Sequence, residues 1–463
     1  MSAIDPHIPH HAALHTVMPA AAAARRMPAW LWVLAVVLAG YAFLGKGWAY
    51  IGVPPVFIGE IALALGVASL AFSGGILRLP PMPQLAILAV LMAWGAWRTL
   101  PFISEFGTDA LRDAVLWAYG AMAFVVLLHV VKCPRSLERL VGCYRVFAAV
   151  FLVATPCLWL ARYLAGGSMP RWPWADVPVI DPKPGDVMVH LAGVLSFWVS
   201  GLAGSVSWPL VLLMGACAAV VGAYERAGMF AFAAAFLLCL TLRPLDKSLR
   251  RLGALAVLSI AALAVTGAVF DVPVPDSAKV REVSFRQLVH NVRSALGDTD
   301  MGDLDDTKHW RLEWWRQIAD YTFRGPWFWT GKGFGVNLAD DDGFQVMPDH
   351  SLRSPHNGHL TFLARAGVPG LVLWTLTQVG WVWAVVRGYI ASTLAGRRTW
   401  AGLFIFLLGY WLAFMVNATF DVFLEGPMGG LWFWTIYGAG LAAAWLYRQR
   451  AAVFCDDAHT AGA

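Results

Sequence analysis

The chain is short of charge. Of its 463 residues only 14% are Asp, Glu, Lys or Arg, against about 25% in a soluble globular protein. Cysteine is also scarce: Cys133, Cys143, Cys157, Cys217, Cys239 and Cys455 are all there are, and none lies between 271 and 357. If that stretch faces an oxidising compartment, it is held without disulfides. No internal repeat is visible, and the Ala- and His-rich N-terminus (His7, His10, His11, His15) is the only biased tract. These shortages exclude disordered, collagenous and soluble multidomain chains. What is abundant is apolar: 59% of residues are hydrophobic and the mean hydropathy is +0.61. That composition specifies a polytopic helical membrane protein. The net charge of +5 does not point to nucleic acid, because in such a protein the position of Lys and Arg matters more than their sum.

Runs of roughly 17–25 apolar residues fall near 29–45, 51–72, 84–100, 112–131, 140–164, 187–203, 207–222, 228–242, 251–270, 358–386, 400–419 and 428–447. About twelve transmembrane helices are therefore expected. The adjoining runs 187–203 and 207–222 fit either two helices or one helix and a re-entrant segment. Arg25 and Arg26 precede an apolar run without a small-residue cleavage site, which reads as a retained first span.

With the N-terminus in the cytoplasm, the cytoplasmic connections hold Arg78, Lys132, Arg135, Arg139, Arg243, Lys247, Arg250, Arg251, Arg387, Arg397, Arg398, Arg448 and Arg450. The opposite short loops hold only Lys46, Arg98, Arg171, Lys183 and Arg226. This is the positive-inside bias, and a shift of one span would reverse it. The expected organisation is a cytoplasmic tail (1–28), a bundle of about nine helices (29–270), a periplasmic loop (271–357), a bundle of about three helices (358–447) and a second cytoplasmic tail (448–463). The loop is expected to hold two amphipathic interfacial helices, 280–296 and the Trp-rich 308–323, joined by an acidic linker from Asp298 to Asp306.

Ionisable residues are scarce inside the spans, whereas an ion-driven transporter needs several there. Polar chemistry gathers instead at the exported helix ends. Arg226, in Tyr224-Glu225-Arg226-Ala227-Gly228, reads either as an arginine snorkelling to headgroups beside Glu225 or as a phosphate clamp. Arg311, among Trp310, Trp314 and Trp315, has the same two readings. Gly331-Lys332-Gly333-Phe334-Gly335 resembles a phosphate loop, but Gly325 to Gly331 is too long for that motif and Gly333 replaces its Ser or Thr. Simple turn glycines are the plainer reading. In Pro355-His356-Asn357-Gly358-His359, His356 sits at a helix start and is a candidate general base. His356, His359, Asp349 and His350 form an alternative zinc set without an HExxH pattern or cysteine. The Asp298–Asp306 cluster misses the EF-hand order.

In combination, Arg226, Arg311, the Gly-Lys-Gly-Phe-Gly run, Pro355 to Leu360 with the following Leu363-Ala364-Arg365-Ala366-Gly367-Val368-Pro369-Gly370, and the closing segment with Phe420, Asp421 and Glu425 resemble the O-antigen ligase and polymerase superfamily of bacterial inner-membrane proteins. The resemblance covers about 210–435. It implies an all-α, GT-C-like glycosyltransferase that moves a glycan from an undecaprenyl-pyrophosphate donor to an acceptor hydroxyl at the periplasmic face, without cofactor or metal. The acceptor is a lipid A core sugar in ligases and a growing polysaccharide in polymerases. His356 would be the catalytic base, Arg226 and Arg311 would hold the donor diphosphate, and Lys332, Asn357 and Glu425 would support them. The competing class is a membrane transporter or lipid-linked glycan flippase, which needs a polar path through the membrane.

The topology is testable in a cysteine-free background. Single cysteines near Asp303 and Asp342 should react with an impermeant thiol reagent in spheroplasts, and cysteines near Lys247 or Arg398 should stay unlabelled. Labelling of the second pair alone would invert the orientation.

Overall fold

A computed structural model describes residues 27–74, 79–243 and 302–454. The described residues are all-α apart from one small hairpin. Eleven of the expected apolar runs fall on helices, and 251–270 lies outside the described residues, as do the candidate helix 280–296 and the tail histidines. The first half of the bundle comprises α1 (Ala29–Leu44), the short α2 (Lys46–Ala49), α3 (Ile58–Phe72), α4 (Pro83–Phe106), α5 (Thr108–Ala118), α6 (Gly120–Lys132), α7 (Arg135–Ala165), α8 (Pro184–Val199), α9 (Trp208–Tyr224) and α10 (Arg226–Leu242). After 301 come α11 (Gly302–Phe323), the single turn α12 (Leu338–Asp342), α13 (Gly358–Leu394), α14 (Arg398–Ala418) and α15 (Pro427–Arg448).

Four of these helices are long and apolar enough to cross a bilayer, and five if the α5–α6 pair, bent by 43°, counts as one span. Their outward faces stay apolar. On α13, Val372, Leu376, Val379 and Trp383 form an exposed stripe at helical spacing, which in water would be an aggregation surface and in lipid is a solvated one.

Three sequence expectations are corrected. The run 51–72 is not one helix: Gly52–Val53 and Val56–Phe57 pair as an antiparallel hairpin around Pro54 and Pro55, and α3 starts only at Ile58. Proline supplies no backbone donor and disfavours helix at the preceding residue. The acidic linker is helical from Gly302 onward. The Trp-rich helix is not an interfacial raft either. Trp314 and Ile318 are fully buried in a separate small core with Leu338, Leu363 and Ala364, and Trp314 stacks on Phe344.

Helix α8 is the axis of the fold. Of its residues only Pro184 is not buried, and its 16 residues span about 24 Å. Its ends carry opposite charge. Asp186 and the Glu225 carboxylate lie at its N-terminus, while Arg243 donates to the Val199 carbonyl and Arg145 to that of Leu202 beyond its C-terminus. Both placements complement the helix dipole. The turn into α9 uses Gly201 and Gly204 at positive φ, so 187–203 and 207–222 are two helices.

Helix α13 breaks at Gly367 (φ 70°), two residues before Pro369. A broken helix strands carbonyls, and here each finds a donor. Lys332 N–H reaches Ala364 O (2.7 Å), Gly333 N–H reaches Arg365 O (2.9 Å), and the Trp94 indole reaches Ala366 O (2.9 Å). The glycine loop thus serves as a backbone clamp on the break. Gly331 is at φ 61°, and an added Cβ would stand 2.5 Å from the Arg365 carbonyl carbon. Gly331→Ala should therefore cost about 2–4 kcal/mol. Gly396→Ala, at φ 68° with open space around it, should cost only about 1–2 kcal/mol. Thermal unfolding in detergent checks the order; equal shifts would show that the contact at Gly331 relaxes freely.

Candidate functional site

The i, i+4 spacing of Arg311 and Trp315 sets both on one face of α11. Trp315 Nε1 donates to the Pro355 carbonyl (2.8 Å), and an Arg311 guanidinium N–H donates to the Phe420 carbonyl (3.0 Å). One helix face thereby holds the turn containing His356 against the segment containing Asp421. His356 has φ 52°, a left-handed backbone that a non-glycine residue adopts at a cost of about 1–2 kcal/mol. Its Nδ1 lies 3.7 Å from Asp421 Oδ1. The next residue, Asn357, caps α13: its Oδ1 accepts the His359 and Leu360 amides, both at 3.0 Å. Thr361 donates to Glu425 Oε1 at 2.8 Å, fixing the 3-10 turn Phe423–Glu425 beside it.

The N-terminus of α8 enters the same region. Gly185 N–H donates to Glu225, and a side chain at 185 would collide with that carboxylate at 2.8 Å. Lys183, the N-cap of α8, lies among Asp421, Asp186, Glu225 and Glu425. Burial works against its charge, but these four carboxylates outweigh burial and raise its pKa. Burial pushes Glu225 up, with the Asp421 charge adding to it. Glu425 is likewise raised by burial. Asp421 goes the other way: burial would raise it, yet the neighbouring His356 imidazole and the Lys183 charge leave it below the usual carboxylate range. An anionic Asp421 beside an imidazole is the arrangement that stabilises imidazolium once the ring takes a proton.

Sequence-selected residues thus divide. His356, Arg311, Asn357 and Glu425 converge. Arg226 opens α10 directly after Glu225, and its side chain lies outside the described residues. Lys332 is elsewhere: its ammonium pairs with Asp341 and Asp342 and sits 4.3 Å from the Tyr321 ring centre. The four members of the zinc alternative also engage separate partners. His350 meets Asp340 (2.7 Å), Asp349 accepts the Ser351 amide, and His359 sits between the Trp374 indole and the Met415 carbonyl. Among the described residues no three His, Cys, Asp or Glu side chains are arranged to hold a metal ion.

Sequence reasoning passed over Lys183 and Asp186. Lys183-Pro184-Gly185-Asp186 does carry a helix-start signal, with Pro at the first position and an acid in the first turn. It also passed over the anchor beneath the site. Asp113 accepts Arg365 (2.9 Å), Arg353 (3.0 Å) and the Gly335 amide (3.0 Å). A cavity of about 980 Å3 at the opposite end of the bundle, lined by Glu138, Arg145, Arg243, Arg397 and Arg398 among others, shares no residue with the His356 cluster.

The fold and site define a helical membrane protein whose polar groups meet where α8 and α13 begin, against the middle of α11. Residues 209–375 match the family described as O-antigen ligase, and this match supports the resemblance to the O-antigen ligase and polymerase superfamily. It takes in Arg226, Arg311, Lys332, His356 and Asn357 and stops short of Asp421 and Glu425. No curated protein matches the chain.

The Lys332 geometry has a measurable consequence. Asp342 is fully buried at its side chain, so Lys332→Met should destabilise the protein by about 3–5 kcal/mol. Adding Asp342→Asn should recover part of this, and affinity for undecaprenyl pyrophosphate should be unchanged. Lost affinity at unaltered thermal stability would instead put the ammonium on the phosphate.

Proposed function

We propose that this protein transfers a glycan from an undecaprenyl-pyrophosphate donor to an acceptor hydroxyl, with His356 as general base and Arg226 and Arg311 as the diphosphate clamp, at the periplasmic face of the bacterial inner membrane. The family match supports O-antigen ligase or polymerase activity in general. The observation that carries the finer reading is the placement of Arg311 and the His356–Asp421 pair on one short stretch, 420–421. The acceptor oxygen attacks the anomeric carbon, the bond from that carbon to the phosphate oxygen breaks, and the diphosphate leaves with the electron pair. The hydroxyl proton passes to His356, and Asp421 stabilises the resulting imidazolium. Charge growing on the diphosphate is met by guanidinium groups, whose planar fork suits phosphate oxygens. Direct displacement inverts the anomeric centre.

The acceptor is a lipid A core sugar for a ligase and the end of another lipid-linked repeat for a polymerase. About twelve spans, a GT-C-like bundle and a periplasmic loop complete the proposed topology. Reconstitution with lipid-linked glycan tests the reaction: an enzyme joins sugars and releases undecaprenyl pyrophosphate, whereas a flippase moves the donor unchanged. Arg311→Ala and Arg226→Ala should each sharply reduce transfer at normal membrane levels, with Lys rescuing only in part. Transfer should survive EDTA. Full activity in both alanine variants would return these arginines to interfacial anchoring, and EDTA loss restored by one divalent ion would bring back a metal.

A further inference from the structure

Four carboxylates surround Lys183, and three of them are engaged. Asp421 faces His356, Glu225 accepts the Gly185 amide, and Glu425 accepts from Thr361 and Ser354. Asp186 is different. It is only 6% exposed, and neither of its oxygens has a hydrogen-bond partner. It occupies the first turn of the buried α8, within electrostatic reach of Lys183, Asp421 and Glu225. Lys183 itself makes no hydrogen bond or close ion pair among the described residues; its interactions with these carboxylates are longer-range.

A buried carboxylate with both oxygens idle is expensive, because it gives up hydration and receives nothing in return. The helix N-terminus offsets part of that cost without filling either oxygen. Whatever its protonation state, a carboxyl group has more acceptor than donor capacity, so whatever completes it must bring donors. A diphosphate brings none. Sugar hydroxyls bring several, and two neighbouring hydroxyls match the two oxygens of one carboxylate. The polarity of the site then sorts the parts of a glycosyl diphosphate, with the anion toward Arg311 and hydroxyls toward Asp186.

We propose that Asp186, flanked by Lys183, is a saccharide subsite whose two oxygens accept a pair of sugar hydroxyls next to the His356–Asp421 pair. The subsite rests on the glycan-transfer reading above. The sugar belongs either to the donor glycan or to the acceptor, and its recognition chemistry is the same in both.

The test uses the full chain in lipid nanodiscs, with Asp186→Asn and Asp186→Leu beside the wild type. Transfer is measured against each substrate in turn. Binding is measured for the oligosaccharide released from the donor by mild acid and, separately, for undecaprenyl phosphate. Asp186→Asn should raise KM for one substrate by about tenfold or more, the value of a lost hydrogen bond, and should weaken oligosaccharide binding alike. The substrate whose KM moves identifies the source of the sugar. Undecaprenyl phosphate binding should not change. Asp186→Leu should unfold at a higher temperature than wild type, because it removes a buried carboxyl group without hydrogen-bond partners, while losing oligosaccharide binding. Unchanged KM and oligosaccharide affinity in Asp186→Asn would overturn the proposal, as would a lower unfolding temperature for Asp186→Leu. A wild type that binds the oligosaccharide through Asp186 but joins no glycan would remove the reaction and keep the subsite; active transfer unaffected by Asp186→Asn would do the reverse.

Discussion

The arrangement depends on one carboxylate. Asp113, on α5, forms ion pairs with Arg365 on α13 and with Arg353 in the segment before His356, and accepts a hydrogen bond from the amide of Gly335 in the glycine loop. Asp113 and Arg365 are nearly inaccessible at their side chains, at 7% and 2%. Buried ion pairs add little net stability, since desolvation offsets attraction. What this one supplies is register. Three points between Gly335 and Arg365 are held on a single acceptor at least 222 residues earlier in the sequence, and the His356 turn lies between the two arginines it holds. Arg365 also donates to the carbonyls of Gly333, Val336 and Arg353, so its guanidinium spreads the same constraint over the loop.

Upon that anchor two helix ends converge. The break in α13 at Gly367 lets its first part, capped by Asn357, take a direction of its own, and the glycine loop satisfies the carbonyls the break exposes. Helix α8 brings Lys183 and Asp186 from within the bundle. The result is a mixed electrostatic surface in which cations and carboxylates alternate over a few residues. A substrate that is anionic at one end and hydroxyl-rich at the other suits such a surface better than a uniformly charged one does.

Much of this was legible in the sequence, and the rest was not for identifiable reasons. Apolar runs marked helices because burial and lipid exposure both demand apolar side chains. His356 and Arg311 stood out because they are polar groups at the edges of such runs. Lys332 stood out for the same reason, but its partners Asp341 and Asp342 lie nine and ten residues further along, at a range where periodicity says nothing. Asp113 and Arg365 are separated by most of the chain, and no local pattern announces their contact. The tryptophans of α11 were ambiguous in principle, since an interfacial belt and a buried core both favour Trp. Only the packing of Trp314 on Phe344 separates them. Asp186 was hidden by its setting, because one acid in the first turn of a helix is ordinary. It becomes notable only when its two oxygens prove to have no partner.

The most direct measurement of the central claim is glycan transfer by purified His356→Ala, with donor binding measured separately on the same preparation. Removal of a positioned general base lowers the rate by about 10²–10⁴-fold. The account predicts a fall of that order with donor affinity largely kept, and a much smaller effect for His359→Ala, whose ring is already engaged by Trp374 and Met415. Retention of more than about a tenth of wild-type transfer by His356→Ala would contradict it and leave His356 a positioning residue.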